Sequence, residues 1–144
     1  VKTDMDWEVV GPLSLQASET KSLLWLLRAH QMTLASARLE IECPQVAVLT
    51  DLQLTAPDPD ARQSHAARLM AAIGDFARDS GILKLRVKDG VCSERLAQHL
   101  VRSGFRDAQR LGDECEYYVD LYRRPQRRHY QRSQSPRNDF LMAC

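Results

Sequence analysis

The fold is decided by residues 46–105, which open with the apolar run VAVLTDLQL at Val46–Leu54. A polar loop follows, and RQSHAA at 62–67 then opens a helical pattern that Gly81 ends. ILKLRV at 82–87 alternates like a half-buried strand, and a second helical pattern follows it. This order predicts strand, loop, helix, strand and helix, with one parallel crossover between the two strands.

A helix that starts behind a loop can bind an anion with backbone alone. The first N–H groups of a helix have no intrahelical partner, and the macrodipole adds roughly half a positive charge there. A phosphate or pyrophosphate fits such a position.

The flanking regions also carry secondary-structure signals. Trp7 to Val10 reads as a short strand that Gly11-Pro12 stops, and apolar residues behind Ser18 or Thr20 predict a helix that runs to about Met32. Further strands are predicted at 35–43, from its alternation, and at 117–122, where tyrosines cluster.

Composition describes an ordinary globular chain with a charged end. Of 144 residues, 44% are hydrophobic and 27% are charged, so we expect one domain at 1–122. Six arginines and one acid lie in 123–144, which gives this tail a charge of +5 and the body −4. The tail cannot bury a core, and we predict that it is disordered.

The cysteines and histidines favour neither disulfides nor metals. The four cysteines lack C-x-x-C spacing, which favours reduced thiols, and the four histidines stand alone, so we expect no metal site. The first residues are acidic and lack an apolar segment, which predicts no signal peptide and a cytoplasmic location. No apolar run is long enough for a membrane span.

The 46–121 region resembles the acyl-CoA-binding half of the GNAT N-acetyltransferases. Their Q/R-x-x-G-x-G/A signature is met at Arg62 and Ala67 and departs at His65, where the family has glycine. A later family pattern is met at Gly104 and Phe105, whereas Leu100 stands in place of a frequent tyrosine acid. The resemblance implies a GNAT-like acyl-CoA N-acyltransferase fold, a mixed twisted α/β sheet flanked by helices.

The resemblance also implies a binding site for acetyl-CoA or another acyl-CoA. Pantetheine would pair with the amides of Leu52 and Leu54. The pyrophosphate would meet the helix start, and the residues implied there are Arg62, His65, Ala66, Ala67 and Arg68.

Proton transfer has candidates of its own. Asp51 stands where several family members hold a base for the acceptor amine, and Tyr117 on the last strand is a candidate acid in place of Leu100. Their alternatives are a solvated carboxylate and cross-strand packing. His99 is predicted on an exposed face beside Arg95 and Arg102.

Three functions follow as hypotheses. The first is acyl transfer from acyl-CoA to a small-molecule or protein amine. The second is a catalytically silent GNAT-like binding or regulatory module, which the departures at His65 and Leu100 motivate. The third is nucleic-acid binding through the arginine tail, against which the acidic body argues. A homodimer is left open, and no membrane partner is expected.

Overall fold

The computed structural model describes residues 7–16, 21–88, 90–111 and 114–119. The elements are strands and two helices: β1 Glu8–Gln16, β2 Lys21–Ala29, β3 Met32–Cys43, β4 Val46–Leu54, α1 Pro59–Ser80, β5 Lys84–Val87, α2 Glu94–Arg102, β6 Phe105–Leu111 and β7 Glu114–Val119. The predicted tail at 123–144 lies outside these residues, as does the end of the predicted last strand.

The described strands form one sheet in the order β1-β2-β3-β4-β5-β7-β6. β4 and β5 are parallel, and the other neighbouring pairs are antiparallel. The predicted mixed α/β sheet with one parallel crossover is thus confirmed. α1 is that crossover, and it packs with α2 on one face of the sheet. No helix among the described residues covers the other face, which we call the open face.

The helix predicted between Ser18 and Met32 is wrong, because residues 21–29 form strand β2. Leu23, Trp25 and Leu27 are buried under the helices, while the residues between them are half-buried on the open face. A short run that is apolar on both faces has no clear period, so its spacing cannot separate a strand from a helix.

The predicted stop at Gly11-Pro12 is also wrong. β1 continues through it to Gln16, with a shift in its register to β2 between Val10 and Leu13. An irregularity of this kind on an edge strand tolerates proline, which cannot donate to the ladder. Gly11 lies against Trp25, and a Cβ at Gly11 would fall 2.8 Å from the indole Cδ1.

The helix expected to open at Arg62 begins three residues earlier, at Pro59. Proline suits the first helical position, where its missing N–H costs nothing. Asp58 caps the helix, since its carboxylate accepts a hydrogen bond from the Ala61 N–H at 3.1 Å. Gly81 ends α1 in the left-handed conformation, as predicted.

The expectation of reduced thiols is wrong for one cysteine. Cys43 at the end of β3 is disulfide-bonded, whereas Cys92 and Cys115 are not. Sequence spacing reveals only local pairs such as C-x-x-C, so it carries no information on which distant thiols meet in the fold.

Candidate functional site

The pairing of β4 with β5 ends halfway along β4, because β5 is the shorter strand. Their parallel pairing runs from Val46 with Lys84 to Leu49 with Val87. The Lys88 N–H still donates to the Leu49 carbonyl at 3.1 Å, and β5 has ended by then. β4 continues to Leu54, and among the described residues no strand pairs with it on this side beyond Leu49. The sheet therefore has an open edge at residues 50–54 of β4, on the side away from β3.

The backbone amides of Leu52 and Leu54 point toward this open edge. The Thr55 N–H donates to the Leu34 carbonyl on the β3 side at 3.5 Å. Successive backbone amides of a strand alternate sides, so those of Leu54 and Leu52 face away from β3. The register between β3 and β4 shifts at Thr50, because Leu39 pairs with Leu49 and Arg38 pairs with Asp51. The alternation of amide directions therefore differs by one residue between the two halves of β4.

The side chains of Leu52 and Leu54 hold this half of β4 in place. They pair with Ala37 and Ala35 of β3, and both leucines pack against the core on the helix side. The two amides predicted from the sequence thus lie on a segment of β4 that pairs with β3 on one side and with no described strand on the other.

The predicted pyrophosphate segment lies inside α1. The segment occupies the second and third turns of the helix and consists of His65, Ala66, Ala67 and Arg68. In these turns each backbone N–H donates a hydrogen bond to the carbonyl four residues earlier. Arg62 donates instead to the carbonyls of Ala56 and Pro57, at 2.8 and 3.0 Å. These hydrogen bonds hold the loop between β4 and α1 against the first turn of α1.

Two side chains of this segment, those of His65 and Arg68, contact Trp7. His65 is buried, with its ring edge-on to the Trp7 ring at 5.7 Å between centroids. The Arg68 guanidinium lies 3.6 Å from the centre of the same ring. His65 therefore points into the fold, and the charge of Arg68 remains at the surface.

Asp51 and Tyr117 lie on opposite faces of the sheet. Asp51 pairs with Arg38, whose sequence neighbours Ala37 and Leu39 are buried under the helices, so Asp51 faces the open side. Its two carboxylate oxygens accept from Gln53 Nε2 at 3.2 and 3.1 Å. Tyr117 is 4% exposed and belongs to the core beneath the helices. The structure does not bring these two candidates together.

Leu100 stands at the position where the GNAT pattern frequently has a tyrosine acid, and it is a core residue. Leu100 is fully buried and packs with the residues that hold α2 on the sheet. It supports the fold and has no proton to give.

The sequence predicted His99 on an exposed face, and this prediction is wrong. His99 is half-buried, and its Nε2 donates to Oε1 of Gln63 on α1 at 2.9 Å. Its Nδ1 is buried without a hydrogen-bond partner among the described residues. Burial first, and then Arg102 and Arg95, lower the pKa of His99 below its usual 6.5. Burial and Arg68 lower the pKa of His65 as well.

Lowering the pH below 6.5 is expected to destabilise the protein through His99. The unfolded chain binds a proton more readily than the folded one, so the free energy of unfolding falls from about pH 6.5 down to the lowered folded pKa. His99→Gln removes this titration. Urea denaturation at a series of pH values should show the variant gaining on the wild type as the pH falls. A difference that does not change with pH would contradict the assignment.

A metal-binding group and a membrane-spanning helix are both absent from the part of the chain that the structure describes. Its side chains form no group of three His, Cys, Asp or Glu that could hold a metal ion. Neither of its helices is long and apolar enough to cross a membrane.

Comparison with solved structures finds this fold among N-acetyltransferases. An N-acetyltransferase from Staphylococcus aureus Mu50 is 17% identical with a TM-score of 0.52, over 71% of this chain and 69% of that one. GCN5 of Tetrahymena is 18% identical with a TM-score of 0.52, over 74% and 72% of the two chains.

A third solved structure carries a ligand. A GNAT family acetyltransferase from Elizabethkingia anophelis with acetyl-CoA bound is 14% identical with a TM-score of 0.50, over 68% of this chain and 73% of that one. No family profile matches the sequence, and no curated protein matches it. At these identities the likeness establishes the fold, and the predicted GNAT-like fold is confirmed.

Proposed function

We propose, from the GNAT acyl-CoA N-acyltransferase fold that this chain has, that it binds an acyl-CoA thioester along the open edge of β4 and transfers the acyl group to an amine. The acceptor would be a small molecule or a protein amine. The observation that carries the proposal is the pair of backbone amides at Leu52 and Leu54, which face the gap beside β4 that begins where β5 ends.

An unpaired strand edge suits the pantetheine arm. Pantetheine contains two amide groups, and an extended amide chain can add to a sheet edge through main-chain hydrogen bonds. A backbone amide aimed at the thioester carbonyl would stabilise the negative charge that develops on its oxygen during attack. We assign these contacts to Leu52 and Leu54.

The gap also suggests how the two substrates meet. The helices cover one face of the sheet, so an amine would approach from the open face, where Asp51 lies. An amine attacks only when deprotonated, and Asp51 is the proposed base, acting directly or through water.

The departing sulfur needs no acid of its own in this scheme. Tyr117 is buried among apolar side chains, and we propose that CoA leaves as a thiolate without its help. A thiol pKa of about 8.5 makes the thiolate a tolerable leaving group at neutral pH.

The nucleotide end of CoA would meet α1. The amides at 65–68 are committed to the helix, so attraction for the pyrophosphate would come chiefly from the charges of Arg62 and Arg68. Binding of the nucleotide is therefore expected to be weak and sensitive to salt.

A second function is favoured by a specific observation. α1 runs unbroken through Arg62–Ala67, and Leu100 is buried where a tyrosine acid is frequent. A domain of this fold without a pyrophosphate cradle or an acid could bind a ligand or partner without turnover.

Titration with acetyl-CoA tests the two proposals together. If acyl-CoA is a ligand, saturation at 100 times the Kd adds roughly 2.7 kcal/mol to the free energy of unfolding, which a thermal shift detects. Turnover is then followed by release of the CoA thiol with a panel of amines and peptides. Binding with turnover supports the transferase, and binding without turnover supports the silent module. The absence of any shift at millimolar acetyl-CoA would overturn acyl-CoA binding.

A further inference from the structure

Two cysteines that are distant in sequence touch near the end of β5. Cys92 Sγ lies 3.0 Å from Cys115 Sγ and 3.4 Å from the carbonyl oxygen of Val87. Neither cysteine is in a disulfide. A disulfide bond measures about 2.05 Å, so a movement of roughly 1 Å would join the two sulfurs.

The backbone brings these thiols together by two independent routes. Cys115 on β7 pairs directly with Val87 on β5. Cys92 returns to the same point through a tight turn, in which the Val91 and Cys92 N–H groups both donate to the Lys88 carbonyl, at 3.0 and 3.2 Å. Both residues are half-buried and pack against the core, so part of each remains exposed to solvent.

We propose that Cys92 and Cys115 are a redox-active thiol pair that forms a reversible disulfide by exchange with a small-molecule disulfide such as glutathione disulfide. This inference does not depend on acyl transfer.

The exchange proceeds in two balanced steps. The thiolate of one cysteine attacks the small disulfide, forms a mixed disulfide and releases one small thiol. The second cysteine then attacks the protein sulfur of that mixed disulfide and releases the other small thiol. The two protein thiols are oxidised by two electrons, one small disulfide is reduced to two thiols, and the protons pass to the released thiols.

Cys92 is the expected attacking thiol. It directly precedes Ser93, which caps α2 by accepting from the Leu96 N–H at 3.1 Å. The positive end of the helix macrodipole favours a thiolate at this position. Cys115 lies within β7 and is the resolving thiol.

The bond would tie the turn after β5 to β7 beside the gap in the sheet. Val87 contacts both cysteines through its backbone and is also the last residue of β5 that pairs with β4. Oxidation would thus fix the end of β5, where its pairing with β4 stops.

Peptide mapping of the full chain in glutathione redox buffers tests the proposal. Trypsin cuts after Lys88, Arg95, Arg110 and Arg123, which places Cys92 and Cys115 in two separate peptides with one cysteine each. In oxidising buffer, followed by alkylation of free thiols, we expect these peptides to be joined and dithiothreitol to separate them. The oxidised protein should melt about 10 °C higher than the reduced protein.

Two serine variants identify the role of each thiol. Cys115→Ser should retain glutathione on Cys92 as a stable mixed disulfide, while Cys92→Ser should react more slowly at Cys115. Both should lose the joined peptides and the rise in melting temperature. Alkylation of both thiols after equilibration in oxidising buffer, or separate glutathione adducts without a joined peptide, would overturn the proposal.

Discussion

Replacing Leu52 with proline is expected to lower acyl transfer by roughly 10²–10³-fold while the protein remains folded. Proline removes one backbone N–H, and the Leu52 N–H faces the open edge, where no strand among the described residues pairs with it. Proline is tolerated in a strand at such a position, so the sheet should survive. If the proposed role is right, the thioester carbonyl loses the donor that stabilises its developing charge.

Two controls distinguish the loss of the Leu52 N–H from the loss of its side chain and from the general effect of a proline in β4. Leu52→Ala removes the same packing against the core but keeps the N–H, so it should lose stability and retain most of the turnover per folded molecule. Gln53→Pro removes an N–H that faces β3 and should disrupt the sheet.

The measurements are turnover, circular dichroism and the affinity for acetyl-CoA. Affinity keeps the test informative if turnover is absent, because a pantetheine arm that pairs with β4 loses a hydrogen bond in either case. A Leu52→Pro protein that folds and binds acetyl-CoA as tightly as Leu52→Ala would show that the β4 edge is not the thioester site.

The sequence predicted the strand that carries this edge because its signals were local. The bounds of β4 agree with the prediction, since Pro44 precedes it and two prolines follow it within five residues. Alternation and turn residues are properties of neighbouring positions, and these survive in any fold.

The rest of the site depends on contacts that no local pattern encodes. Gln63 and His99 are 36 positions apart, and Cys92 and Cys115 are 23 apart. Their meeting follows from how α1, α2 and β7 stack on the sheet. His99 lies three positions after the buried Leu96, and this spacing placed it near the buried face of α2. The pattern of one short helix could not show that α1 would cover His99.

The start of α1 shows a different limit. Two prolines at 57 and 59 suggest a loop, yet proline is unfavourable only in a helix interior. Asp58 as the cap places Pro59 in the first turn, where it favours the helix. With no glycine between positions 60 and 73, nothing in this segment interrupts the helix that begins there.

Replacing Trp25 with alanine is expected to cost about 3–5 kcal/mol of unfolding free energy. Trp25 is 1% exposed at the centre of β2, and its ring meets Phe76 of α1 edge-on at 5.2 Å between centroids. Truncation removes this contact and leaves a cavity between β2 and α1. Urea denaturation followed by circular dichroism measures the loss.

A pair of adjacent leucines provides the matched control, because the chemical change is the same at both. Leu27→Ala opens the core beneath the helices, where Leu27 is fully buried, and should cost about 2–5 kcal/mol. Leu26→Ala lies on the open face, where the side chain is half-buried, and should cost about 1 kcal/mol. A helix would place positions 23, 26 and 27 on one face, whereas a strand points neighbouring side chains to opposite faces. Equal losses at Leu26 and Leu27 would therefore contradict the strand. They would also contradict the open face, which no described helix covers and from which the acceptor amine is proposed to approach.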